Sequence, residues 1–145
     1  RNAVLELAKT HAFARPLVNS GRLSVPCNYR GFPLFGPDVL NGPEITAPGM
    51  PCPDAPHGDG FILDHLGGGF ALLAINCEAA EVTAHGLTMR AVHVNAPAAE
   101  LAARYLGEAT QAVYLVRPDQ HIVARWPALD ADAIAAALKT AIGKG

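Results

Sequence analysis

The stretch Ala112–Trp126 (Ala-Val-Tyr-Leu-Val-Arg-Pro-Asp-Gln-His-Ile-Val-Ala-Arg-Trp) constrains the fold of this chain more than any other. It reads as two β-strands joined at Pro118-Asp119, where Pro118 supplies the fixed φ wanted at the second position of a tight turn and Asp119 suits the third. The first strand is apolar on both faces, with Ala112, Tyr114 and Val116 on one and Val113 and Leu115 on the other. A strand of that kind is normally covered on both sides, so helices should sandwich the sheet. The second strand alternates, with Ile122, Ala124 and Trp126 on one face and His121, Val123 and Arg125 on the other, which suits a place nearer the sheet edge.

The chain has 145 residues, enough for one ordinary domain and an appendage. Half the residues (50%) are apolar and the net charge is −2, which describes a globular protein and excludes a polyanion binder or a disordered tail. No apolar run approaches the roughly 18–20 residues that span a bilayer, and no signal peptide is visible, so neither a membrane nor an export route is expected. The opening Arg1-Asn2-Ala3-Val4-Leu5-Glu6-Leu7 lacks a Met and is helical in character, which reads as a fragment of a larger protein. Cys27, Cys52 and Cys77 are odd in number and have no C-x-x-C spacing, so a disulfide framework is not expected and a reducing cytoplasm is. Residues 1–30 carry Arg1, Lys9, Arg15, Arg22 and Arg30 against Glu6 alone; this +4 leaves −6 on the remainder of a chain of net charge −2. The cations are scattered and lack interleaved aromatic rings, so nucleic acid is not the expected partner. A basic arm that packs on, or pairs with, something outside these 145 residues is.

In order, residues 2–14 read as a helix with Val4, Leu5, Ala8 and Ala12 on one side, stopped by Pro16 and Asn19-Ser20-Gly21. Residues 25–56 hold too many prolines and glycines for regular structure, yet keep Tyr29, Phe32, Leu34, Phe35, Leu40 and Ile45. Such a segment is expected to lie on a surface and to join two parts of the protein. Phe61–Leu66 is a short apolar piece broken by Gly67-Gly68-Gly69, Phe70–Ile75 a buried strand, and Leu87–Val94 a second strand; residues 77–85 read as a short helix or a loop. A helix follows with Pro97 at its first position and a stop at Gly107. After the hairpin, a last helix starts at Asp130 and places Ile134, Leu138 and Ile142 on one face, with Lys139 and Lys144 near its negative end. Strand, short helix, strand, helix, hairpin, helix is an α/β layout of thioredoxin-like type: a mixed sheet with helices on both faces.

The chemistry such a layout usually carries is not spelled out here. Cys77 stands near where a redox site would begin, but Glu78 and Glu81 beside it raise a thiol pKa. Glu108-Ala109-Thr110-Gln111, ahead of the hairpin, contains no proline that could be cis. A stand-alone redox or peroxidase domain using Cys77 is the alternative reading. His57, Asp59, Asp64 and His65 form the one acidic/His concentration, but without H-x-x-x-H spacing they read as a solvated turn in which Asp59 or Asp64 caps backbone amides. Leu66–Phe70 precedes a strand instead of linking strand to helix, so it is no phosphate loop. No residue is nominated as catalytic, cofactor-binding or metal-binding.

Three segments carry a family resemblance. Phe13–Ser24 looks like the segment that closes the body of flavin-dependent aromatic hydroxylases. Ala55-Pro56-His57, Asp59-Gly60, Leu63-Asp64, Leu66-Gly67, Gly69-Phe70 and Leu72-Leu73 resemble the entry to that family's C-terminal thioredoxin-like domain, and Tyr114–Trp126 is similar to its hairpin. The resemblance, to the para-hydroxybenzoate hydroxylase and phenol hydroxylase type, implies a parent enzyme that uses FAD, NAD(P)H and O₂ to hydroxylate a phenolic ring. It implies that the flavin-binding motifs lie upstream, that this part is a non-catalytic domain for stability and subunit contacts, and that the partners are the FAD-binding body and a second copy in a homodimer. The expected division is 1–24, a helical remnant of the body; 25–56, a connecting segment; and 57–145, the C-terminal domain.

Overall fold

A computed structural model describes residues 27–144; the expected helical arm at 1–24 lies outside the described residues. Two two-residue strands, β1 (Pro56–His57) and β2 (Gly60–Phe61), form a small antiparallel pair, and a 3-10 turn follows at Ile62–His65. The main sheet contains β3 (Ala71–Ile75), β4 (Val82–Ala84), β5 (Leu87–Val94), β6 (Ala112–Val116) and β7 (Ile122–Trp126), in the order β4-β5-β3-β6-β7. β3 and β5 are parallel, while the β3–β6, β6–β7 and β4–β5 pairs are antiparallel. Helix α1 (Ala99–Tyr105) links β5 to β6 and α2 (Ala131–Ala141) follows β7. Among the described residues no helix is long and apolar enough to cross a membrane.

The mixed sheet with a helix on each face is as the residue pattern requires. Tyr114 and Val116 join Leu73 and Ile75 in a core that contains Leu101 and Tyr105 of α1. Val113 and Leu115 point the other way, into a core with Leu72, Met89 and with Ile134 and Leu138 of α2. Every residue of β3 and β6 is fully buried, the mark of strands covered on both sides. Asp130 caps α2 by accepting the Ala133 amide at 3.0 Å, and Gly107 and Gly143 leave their helices with φ of 59° and 70°.

Three local expectations are corrected. Residues 77–85 contain no helix: β4 occupies 82–84 and turns into β5 through His85-Gly86, whose φ values of 53° and 80° are those of the two-residue turn that suits twisted antiparallel strands. Pro97 precedes α1 instead of opening it, with Ala98 at the cap. On β7 the simple alternation fails at a bulge: Leu115 pairs Ala124 while Val116 pairs Ile122, so Val123 is the extra residue. Ile122 therefore faces the α1 core, while Val123, Ala124 and Trp126 face the α2 core. The hairpin turn has Pro118 and Asp119 at its middle, as expected, closed by the Gln120 amide on the Arg117 carbonyl at 3.0 Å, with Gln120 at φ 63°.

Candidate functional site

β7 is last in the sheet, yet its outer edge is closed by the proline-rich residues 36–52. The Val39 amide and the Gly36 amide donate to Arg125 and Val123 carbonyls at 3.0 and 2.7 Å, and the Arg125 amide donates to Pro37 O at 3.2 Å. Further along, the Gly49 and Cys52 amides donate to Ile122 and Gln120 carbonyls, and the Ile122 amide returns to Met50 O, at 2.8, 2.8 and 2.9 Å. Prolines cannot donate, but their carbonyls accept and the residues between them supply amides, so the sheet edge is paired without a continuous strand.

A buried side chain holds this strap down. Arg125 is 2% exposed, and all five of its N–H donors are placed on acceptors. Nε and Nη2 grip Asp38 Oδ1 and Oδ2, both at 2.7 Å; Nη1 donates to Pro43 O at 2.7 Å and Thr46 Oγ1 at 3.1 Å; Nη2 also donates to Gly42 O at 3.1 Å. Thr46 Oγ1 lies 3.3 Å from Tyr114 Oη, and the Tyr114 hydroxyl donates to Tyr105 O. A chain of polar contacts thus runs from the strap through β7 and β6 to the end of α1. Burial alone would raise the Asp38 carboxyl, but the two bonds and the charge of Arg125 outweigh it and hold Asp38 below the usual carboxylate range.

The ends of β3 and β5, where open α/β sheets bind ligands, are taken up by structural bonds. Asn76, at φ 54°, donates from Nδ2 to Thr110 O at 3.1 Å and accepts the Ala96 amide at 3.0 Å, tying three loops together. Cys77 is half-buried, with Sγ 3.5 Å from Ala112 O. Burial pushes its thiol pKa up, backbone bonds to Ile75 and Ala112 offset part of this, and Glu78 adds to the rise. Cys52 is buried beside Tyr105, and burial pushes its thiol up to about 12. Neither thiol is thereby prepared as a nucleophile.

The structure brings His57 and His65 together, ring centroids 5.1 Å apart and edge to face. Asp64 caps as expected, its carboxylate accepting the Phe61 amide at 3.0 Å, and Asp54 does the same for Ala55 and Leu63 at 3.0 and 3.2 Å. Among the described residues no group of three or more His, Cys, Asp or Glu is arranged to hold a metal ion. An open cleft of about 380 Å³ separates Leu40–Pro43 from Leu106–Ala109. The Asp38–Arg125–Thr46–Tyr114 chain was not anticipated; the readable signal was an arginine inside an apolar strand, which burial obliges to find an acid.

No protein-family model and no curated protein matches the chain. Solved structures do. The substrate-free form of the rebeccamycin biosynthetic enzyme RebC matches 97% of this chain with 26% of its own, at 21% identity and a TM-score of 0.57. RebC with reduced flavin matches 97% with 27% of its own, at 23% identity and a TM-score of 0.58. The ternary complex of aklavinone-11 hydroxylase with FAD and aklavinone matches 86% with 28% of its own, at 23% identity and a TM-score of 0.60. The fold is shared with a segment of these two enzymes. This chain spans about a quarter of the length of the solved chains it matches.

Proposed function

We propose that this chain is an accessory domain of an FAD-dependent, NAD(P)H-using monooxygenase that hydroxylates an aromatic, phenolic substrate, and that it does not itself carry the chemistry. One observation carries the reading: nearly the whole chain, 97%, superimposes on about a quarter of RebC, an enzyme also solved with reduced flavin. The match of 86% of the chain to aklavinone-11 hydroxylase, solved with FAD and aklavinone, supports it. The commitment of Asn76 and Cys77 to structural bonds at the strand ends agrees with a supporting role. In this reading the flavin, the nicotinamide and the substrate are bound by the remainder of a longer polypeptide, as a soluble cytoplasmic homodimer to which this domain lends stability and contact surface.

Two measurements test it. The purified chain, titrated with FAD and followed by flavin fluorescence, is expected to bind none and to support no NAD(P)H oxidation; one-to-one binding by this chain alone overturns the non-catalytic role. The natural polypeptide that carries the sequence, isolated from its source, is expected to be several times longer and to show the visible absorption of bound flavin. A flavin-free polypeptide of this chain's size overturns the parent-enzyme reading.

A further inference from the structure

The strap is fastened to β7 in two different ways. A 3-10 turn at Glu44–Thr46 divides it. From the end of that turn onward its own side chains are buried: Thr46 is 0% and Ala47 and Cys52 are each 5% exposed. Before the turn, residues 36–43 bury no side chain fully; Val39 is 49% exposed and Leu40 is only partly packed on the α1 core. This half is held by four backbone bonds to Val123 and Arg125, donated by the Gly36, Val39, Leu40 and Arg125 amides, and by the two bonds of the Asp38 carboxylate to Arg125. Segments with few buried apolar contacts and with hydrogen bonds near water open locally, at less cost than global unfolding.

The bonding of Arg125 allows one half to open without the other. Its Nη1 lies on Pro43 O at 2.7 Å and Thr46 Oγ1 at 3.1 Å, so the guanidinium keeps these acceptors when the residues before them lift. Nε and Nη2 would lose Asp38, whose side chain is 33% exposed, so water is at hand to replace the carboxylate. We propose that residues 36–41 are a latch that opens as a unit of its own, baring the β7 edge at Val123 and Arg125, and that the ionised Asp38 carboxylate keeps it shut at neutral pH. Among the described residues the charged and titratable groups facing Asp38 are Arg125 and Tyr114 from the sheet, and Arg30, itself paired with Glu44. Both cations favour the carboxylate, while burial raises the Tyr114 hydroxyl and keeps it neutral. Because the Asp38 pKa is lowered in the closed state, the latch is tight above the ordinary carboxylate range and loosens as pH falls through the lowered value.

Amide hydrogen exchange of the full chain, followed residue by residue by NMR and expressed as protection over the free-peptide rate at each pH, separates the two halves. At neutral pH the Gly36, Val39 and Arg125 amides are expected to be less protected than those of Gly49, Cys52 and Ile122, with the Leu73 amide of β3 reporting global unfolding. Asp38→Asn keeps the shape and removes the charge; it should lower protection of the first three about tenfold and leave the second three unchanged. In the unaltered chain the first three should lose protection as pH is lowered from about 6 to about 3, and in Asp38→Asn they should show no such loss. Should Asp38→Asn fail to fold, the pH series on the unaltered chain decides by itself. Exchange of both sets in step, at neutral pH or in acid, shows that the strap lifts as one piece and overturns the latch. Unchanged protection of the first set in the variant, or in acid, shows that the carboxylate does not hold it and overturns the inference as well.

Discussion

Arg125 places five donors on acceptors from residues 38–46, so its charge is neutralised and hydrogen-bonded in the one way that makes a buried guanidinium tolerable. Such a pair is poor evidence of net stabilisation over an apolar alternative, but breaking it from one side is costly. Asp38→Ala leaves the guanidinium buried without its counter-charge. Because the Asp38 side chain is 33% exposed, water can take part of the lost role, and the expected loss is at the low end, about 2–3 kcal/mol in a denaturant titration. The sign of the pH dependence follows from the lowered Asp38 pKa. The unfolded carboxyl takes up a proton near pH 4 or so, before the folded one does, so the contribution of the pair is complete at neutral pH and fades as pH falls through the folded value. Asp38→Asn should remove that part of the acid sensitivity; an unchanged slope of stability against pH below 5 or so would show that Arg125 is held without it.

At the scale of elements, the strap and the sheet edge depend on a glycine. Gly49 has φ +88°, and a Cβ there would stand 2.6 Å from the backbone of both Tyr29 and Arg30. Gly49→Ala therefore suffers both a left-handed conformation and a backbone clash, about 2–4 kcal/mol together. The strain should be relieved by the strap lifting: hydrogen exchange at the Ile122 and Cys52 amides, which bond across the strap–β7 line, is expected to accelerate while amides of β3 and β6 hold. Exchange at Ile122 no faster than in the unaltered chain would show that the strap is not the yielding part. The strap also explains which elements could be read in advance. β3 and β6 announce themselves by apolar residues on both faces and α2 by a capped amphipathic pattern, which are local properties. The bulge at Val123 is not local: a period-2 reading puts Ile122 with Ala124 and Trp126, and the extra residue shows only in the pairing with β6. The β4–β5 turn has a local signal, since Val82-Thr83 are β-branched and His85-Gly86 can supply two positive φ values, but the weak pattern of residues 77–85 reads as a short helix or a loop.

For the whole molecule, the fold was legible because it follows from one sheet that must bury both faces, and the polar core was not, because Asp38 and Arg125 are 87 residues apart and meet only after the strap folds back. The two cores share the backbone of that sheet. Leu72 and Leu73 are adjacent and both fully buried, one in the α2 core and the other in the α1 core. Truncating either creates a cavity on one face and should cost about 2–5 kcal/mol. If the strands transmit the loss, Leu72→Ala and Leu73→Ala each lower a single transition common to both faces. The side chains provide separate reporters: Trp126 is the sole tryptophan and lies in the α2 core, while Tyr105 and Tyr114 pack edge to face in the α1 core, 5.4 Å apart. Tryptophan fluorescence and far-ultraviolet circular dichroism are expected to give coincident denaturation curves in both variants. If the fluorescence transition of Leu72→Ala precedes the loss of secondary structure while that of Leu73→Ala does not, the α2 face unfolds by itself and the sheet does not join the cores into one cooperative unit.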